Sequence, residues 1–251
     1  MSTTVSFPGL GIGEFSFDRV AFELFGKPIY WYGVIIMLGI VAAFVHAYLR
    51  CKQEGIKGDD ILDVGLFTVI FGVIGARLYY VVTTLKTHEY ENIIDVFAIW
   101  EGGLAIYGGI IAGATAIVVT ALVKKLSPFK VTDTIAPGVG LAQAIGRWGN
   151  FCNGEAYGSL IGETTAFTFF GKEHILSVGE GSLFHTLRMG LSPNMYSSVQ
   201  TYYFHPTFLY ESLWCILSFV ILYIVCQKFR KFSGQLFLGY GFLYGIERAV
   251  V

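Results

Sequence analysis

The chain has 251 residues, 54% hydrophobic and only 14% charged, with a mean hydropathy of +0.61. A soluble globular chain carries roughly 25% charged residues, so that class is excluded. The formal net charge of −1 says little about partners, since the charges matter by location, and no nucleic acid is expected among them.

The N-terminus does not read as a signal peptide. Nothing basic precedes an early apolar core, and Glu14, Asp18 and Glu23 lead into a first span that begins near Ile29. The apolar residues come in runs of about 20, the length that crosses a hydrocarbon core of ~30 Å. Spans are predicted at 29–49, 61–85, 104–123, 134–151, 206–226 and 234–251. The fourth is the weakest by hydropathy, because Pro137, Gln143 and Arg147 lie inside it. Its Gly138, Ala142 and Gly146 recur every four residues, and Gly109 and Gly113 do the same in the third span. Such small-residue faces let helices approach closely, so both helices are expected to be central in the bundle.

Four cysteines, Cys51, Cys152, Cys215 and Cys226, form no CxxC pair, which signals neither a disulfide framework nor a zinc site. No metal and no cofactor is expected. Cys152 has no histidine or lysine beside it in sequence and reads as packing rather than as a nucleophile.

Basic residues alternate between loops. Arg50, Lys52 and Lys57 follow span one, Lys124, Lys125 and Lys130 follow span three, and Lys228, Arg230 and Lys231 follow span five. The other loops hold Lys86 with Glu89, Glu91 and Asp95, and then a long polar segment. The positive-inside rule places the three basic loops in the cytoplasm and the N-terminus outside. Residues 152–204, rich in Gly, Ser, Thr and aromatics, then form an extracytoplasmic head, for which no internal fold is assigned.

That topology gathers polar residues into one layer on the outer-leaflet side. Arg77 lies in the outer half of span two (GARLYYV), and Glu101 and Tyr107 flank the start of span three (WEGGLAIYGG). Arg147, Asn150, Asn153 and Glu155 cluster at the outer end of span four, within GRWGNFCNGEAYG. His205, Tyr210 and Glu211 (HPTFLYES) open span five, and Arg248 lies near the outer end of span six. An ionisable residue inside a membrane segment costs about 2.5–3.5 kcal/mol at its centre on insertion scales and marks function by default. Bland readings stand beside this one. A lone arginine near a helix end snorkels to the interface, Glu211 is a buried partner for an arginine, and His205 before Pro206 marks a helix start. Three arginines in one layer favour a ligand, and guanidinium suits phosphate, whose oxygens it meets bidentately while keeping its charge. Asn150 and Asn153 add neutral donors, and the glycines admit backbone N–H groups. At this depth the phosphate belongs to a phospholipid headgroup entering from the outer leaflet.

GRWGNFCNGEAYG closely resembles the signature of the prolipoprotein diacylglyceryl transferase family. The likeness extends to IYWYG around Tyr32, GARLYY around Arg77, WEGGLAIYGG, HPTFLYE at His205 and LYGIER near the end. Together, in this order and spacing, these motifs are specific, while none is so alone. The resemblance implies an enzyme of the bacterial cytoplasmic (inner) membrane, multi-pass, with its active site toward the outer leaflet. It would move the diacylglyceryl group of phosphatidylglycerol to the lipobox cysteine thiol of a preprolipoprotein, forming a thioether and releasing glycerol phosphate. The implied partners are phosphatidylglycerol, lipobox peptides and the lipid bilayer. Arg147 and Arg248 correspond to arginines the family needs, and Asn150, Glu155, Gly158 and His205 fall on its motif positions. The expected phosphatidylglycerol site is Arg147, Asn150, Asn153, Glu155, Gly158, Arg77, Tyr32 and Glu211, with Arg147, Arg248, His205, Tyr107 and Glu101 in the chemistry.

Tyr107 is a departure, since many members carry at that position a histidine proposed as the base. An unperturbed tyrosine, with a pKa of about 10, is a poor base at neutral pH. His205 or Glu101 then becomes the base, or Tyr107 serves as a hydrogen-bond donor. The chain also stops at Val251 within an apolar run, so it is expected to be a fragment. The predicted fold class is an all-α integral membrane protein: a bundle of about six visible transmembrane helices, a seventh missing at the C-terminus, with the head between helices four and five. Residues 1–251 form one transferase domain. Two other classes are open. A transporter would show paired interrupted helices in two halves, and no internal repeat is found. A non-catalytic phospholipid-binding membrane protein would use the same arginines.

Overall fold

Long apolar runs without water-facing partners close their backbone hydrogen bonds within themselves, and in a bilayer the helix is the form that does so. The computed structural model describes residues 2–85, 92–99, 102–155, 157–158, 164–169, 172–177, 186–191, 202–226 and 228–250. Among these the helices are α1 Trp31–Cys51, α2 Gly58–Thr84, the short α3 Ile93–Phe97, α4 Ile106–Val123, α5 Pro128–Asn153, α6 Thr207–Val220 and α7 Gln235–Val250, with a π turn at Ile221–Cys226. Four stretches, Trp31–Glu54, Gly58–Thr84, Ile106–Val123 and Thr207–Ile224, are long and apolar enough to cross a membrane. The chain is therefore a multi-pass helical membrane protein. Two compact units can be separated, residues 1–41, 140–220 and 242–251, and residues 42–139 and 221–241.

The all-α expectation needs correction in the first unit. A four-stranded antiparallel sheet, in the order β2 (Ile12–Asp18), β1 (Ser2–Phe7), β7 (Met189–Leu191), β8 (Tyr202–Phe204), joins the N-terminus to the region expected to be the head. A β3–β4 hairpin (Val20–Leu24, Lys27–Tyr30) turns through Phe25 and Gly26, both at positive φ, the conformation that two-residue hairpin turns need. A third hairpin pairs β5 (Thr164–Phe169) with β6 (Lys172–Ser177). Ahead of the span near Ile29, where only Glu14, Asp18 and Glu23 are expected, IGEFSFD alternates, with Phe15 and Phe17 on one face. Phe17 packs on Phe151 with ring centroids 5.4 Å apart, and Phe151 stacks at 4.6 Å on Phe208. With Val5, Phe7, Met189 and Phe204 they form a buried apolar cluster that fixes the C-terminal end of α5 against the start of α6.

In the second unit α2 and α4 meet through glycines. A Cβ on Gly108 would run into the Gly75 carbonyl, and one on Gly109 would sit 3.5 Å from Ala76 Cβ. The third-span glycines thus mark a helix contact, as their spacing predicts. Gly108→Leu is expected to destabilise the fold by about 1–3 kcal/mol through overpacking. This is read as a lower thermal midpoint in detergent, whereas Gly241→Leu, with nothing within 4 Å of its Cβ, should leave the midpoint near that of the wild type.

The basic residues of the second unit are held by acids at one end of its helices. Lys124 bonds Asp60 at 2.8 Å and Asp63 at 2.5 Å. Arg230 pairs with Glu54 and, at 2.9 Å, with the fully buried Asp133. Asp133 also accepts hydrogen bonds from the backbone of Gly234 (2.6 Å) and Phe237 (2.9 Å), which satisfies the orphan donors at the start of α7. The three basic loops are tied together by these pairs, none of which the sequence reading foresaw.

Candidate active site

In the first unit, α5 brings Arg147 to its last turns and α6 brings Glu211 opposite it. Trp148 braces the two helices by donating from Nε1 to Ser212 Oγ (3.1 Å), while the serine hydroxyl donates to the Ala144 carbonyl (3.0 Å). Helix α5 then ends at Gly154, whose φ of 70° is the left-handed cap conformation. The Glu155 amide returns to the Asn150 carbonyl at 2.9 Å, and the Glu155 carboxylate accepts from Asn153 Nδ2 at 2.8 Å. Four residues past the cap, the Gly158 amide donates to the His205 carbonyl at 2.9 Å, which also accepts from Thr207. A Cβ on Gly158 would lie 2.7 Å from Thr207 Cγ2 and 3.0 Å from His205 Cβ. GRWGNFCNGEAYG therefore folds directly against HPTFLYE.

The charges meet behind this contact. Glu211 is 2% exposed and serves two cations: Arg147 Nη1 reaches Oε2 at 2.7 Å, and Arg248 Nη1 donates to Oε1 at 2.7 Å. The buried Glu247 also approaches Arg147, with Oε1 3.9 Å from Nη2. Cys215, one helical turn beyond Glu211 on α6, donates its thiol proton toward Glu247 at 3.5 Å. Breaking a buried ion pair by removing one partner typically costs about 3–5 kcal/mol, so the four charges hold one another in place. Arg248 remains half exposed at 50%, which leaves guanidinium donors open to a ligand.

Of the residues singled out by sequence, Arg147, Arg248 and Glu211 share this cluster. Asn150, Asn153, Glu155, Gly158 and His205 line the loop contact beside it, and Tyr32 lies next to Gly149, its Cδ2 3.3 Å from where a Cβ would stand. Burial pushes the His205 imidazole below its usual pKa, keeping it neutral near pH 7. Arg77 behaves differently. In the second unit its guanidinium donates to the carbonyls of Val96 (2.8 Å), Gly102 (2.7 Å), Gly103 (3.1 Å) and Asp95 (2.5 Å) and lies over the Tyr80 ring. Tyr107 is 67% exposed, with its ring 6.5 Å from Tyr79. Glu101 lies outside the described residues. The sequence reading missed Glu247 and Cys215. Their signal was a Glu–Arg pair in an apolar helix and a cysteine four residues after Glu211.

A sequence model of the prolipoprotein diacylglyceryl transferase family matches residues 19–251. The chain belongs to this family. Among curated proteins it is similar to the phosphatidylglycerol–prolipoprotein diacylglyceryl transferase of Clostridium kluyveri, 38% identical over 231 residues, covering 92% of this chain and 82% of that protein. The proteins of the same name from Oceanobacillus iheyensis and Staphylococcus haemolyticus are 39% and 37% identical, covering 92% and 93% of this chain and 75% and 76% of their own lengths. Among the prolipoprotein diacylglyceryl transferase motifs, those around Arg147, His205 and Arg248 meet in the first unit. GARLYY and WEGGLAIYGG meet each other in the second, through Arg77 and the carbonyls of residues 102 and 103.

Proposed function

We propose that the protein transfers the diacylglyceryl group of phosphatidylglycerol to the lipobox cysteine thiol of preprolipoproteins, releasing glycerol phosphate. The supporting observation is the pair of arginines brought together on Glu211, of which Arg248 keeps open donors. In the reaction the thiol sulfur bonds the terminal glyceryl carbon, and the carbon–oxygen bond to phosphate breaks. The electron pair leaves on the phosphate oxygen, and the thiol proton passes to a base. Charge grows on the phosphate as it departs, and preplaced guanidiniums at low dielectric stabilise it there. Arg147 and Arg248 hold the phosphate, with Asn150, Asn153, Glu155, Gly158 and Tyr32 shaping the headgroup pocket and His205 assisting deprotonation. Tyr107 follows the carbonyls of residues 102 and 103 that Arg77 holds, and Glu101 stays assigned to the chemistry. Arg77, which gives four hydrogen bonds to backbone carbonyls, acts as a positioning residue.

The accompanying topology is six membrane helices, a single domain over 1–251 and an extracytoplasmic head at 152–204. The enzyme sits in the bacterial cytoplasmic membrane, with the active site toward the outer leaflet. The common end shared by the three basic loops supports that orientation. Incubating the purified protein with phosphatidylglycerol and a lipobox peptide tests the reaction. A mass gain of one diacylglyceryl group on the cysteine, with equimolar glycerol phosphate, is expected. Lipid binding without glycerol phosphate release would leave a lipid-binding protein rather than a transferase.

A further inference from the structure

Arg147 is flanked by two carboxylates where one already serves its pairing. Glu211 takes Nη1 and also bridges to Arg248, so these three groups alone carry a single positive charge, matched to the single negative charge of a phosphodiester. Glu247 lies within 4 Å of the remaining Nη2, buried on α7, with the Cys215 thiol 3.5 Å from its Oε2. Ionised, it brings the cluster to neutrality before any ligand arrives.

We infer that Glu247 sets the charge of the phosphate site and weakens its hold on phosphate, favouring release of the phosphomonoester product over tight binding. The inference rests on reading Arg147 and Arg248 as the phosphate ligands. In a low-dielectric surrounding a carboxylate behind the guanidinium acts on the ligand through space as well as through Arg147. The entering phosphodiester carries one negative charge and the leaving monoester nearly two, so the repulsion falls more heavily on the product. Without that repulsion the added attraction is greatest for the product, so it slows release, and release rather than chemistry then sets kcat. Removing Glu247 should therefore give tighter substrate binding together with slower product release. Glu247 does not contact the reacting atoms in this scheme and is a positioning residue for the reaction.

The test compares the full chain with its Glu247→Gln and Glu247→Asp variants in detergent, measuring direct binding of glycerol phosphate and the KM and kcat for phosphatidylglycerol. Glu247→Gln should bind glycerol phosphate about tenfold more tightly, with a lower KM and a lower kcat. Glu247→Asp, which keeps the charge, should stay near wild type. If the amide variant does not fold, Glu247→Leu removes the same charge without burying an unpaired polar group and should give the same tightening. Unchanged or weaker binding in a folded charge-removing variant overturns the inference, and so does equal tightening in the aspartate variant, which would point to shape instead of charge. Because binding of glycerol phosphate is read without turnover, a wild type that binds it and never transfers a lipid overturns the proposed reaction while leaving this inference to its own result.

Discussion

Arg147→Lys is expected to lower kcat/KM for diacylglyceryl transfer by at least about 10²-fold, the scale seen when one donor to a developing oxyanion is removed. Arginine presents its donors in a rigid fork, and here one arm, Nη1, is engaged by Glu211 at 2.7 Å while the other, Nη2, lies 3.9 Å from Glu247. A lysine ammonium is a single point charge on a flexible stem. It can stay on Glu211 or follow the phosphate as it leaves, but it cannot span both positions. The loss should be catalytic rather than structural, because lysine still faces Glu211 with a positive charge and spares the fold the cost of an unpaired buried carboxylate. Transfer assays on the purified variant, beside a thermal melt in detergent, check both halves. Near-normal turnover would move the phosphate away from Arg147 and leave that arginine as a partner of Glu211 only.

The parts of this site legible in the sequence were those written as local clusters. GRWGNFCNGEAYG announced a charged, glycine-rich helix end, and HPTFLYES an ionisable helix start. The structure folds the first onto the second through Gly158 and His205. Arg147, Glu211 and Arg248 lie on three helices far apart in the chain, and their convergence is expected from the alternation of basic loops, which puts the outer ends of these helices together. What the pattern could not give was the division of labour among arginines. Arg77 looks like Arg147 by composition and depth, yet it gives four hydrogen bonds to backbone carbonyls between residues 95 and 103. Backbone partners leave no mark in the side-chain sequence. Glu247 was passed over because adjacent helix positions point to different faces, so its neighbour Arg248 drew the reading. The N-terminal strands were missed for a further reason. Their pairing with residues 190 and 191 is a long-range contact, and β-propensity depends on such context more than helix propensity does.

His205→Ala separates chemistry from scaffold more cleanly than most changes at this site. Residue 205 holds the loop contact through its carbonyl, which accepts from Gly158 and Thr207 at 2.9 Å each; alanine keeps that carbonyl and the Cβ that faces Gly158, and gives up the edge-on ring contact with Tyr210 at 6.2 Å. Only the imidazole is lost, so the headgroup pocket and its arginines should persist, and phosphatidylglycerol binding with them. Turnover should fall by about 10²–10⁴-fold, the range for removing a general base. The pH dependence follows from the direction of the shift. Burial holds the His205 pKa below its usual value, so the wild type should have its base in working form throughout the neutral range and lose activity only as pH drops through that lowered pKa. In the variant the thiol must ionise unaided, and its pKa of about 8.5 becomes the rising limb of the rate profile. Moving from pH 7 to pH 8.5 should then recover about tenfold or more of the lost rate. The same shift carries a stability sign. Between the lowered folded pKa and the ordinary value of about 6.5 the unfolded chain binds more protons at this residue, so wild-type stability should decline as pH falls through that window. The alanine variant should lack that part of the decline. A variant that loses lipid binding as well, or that gains nothing in alkaline buffer, would make His205 a contact for the lipid or the loop and place the base elsewhere.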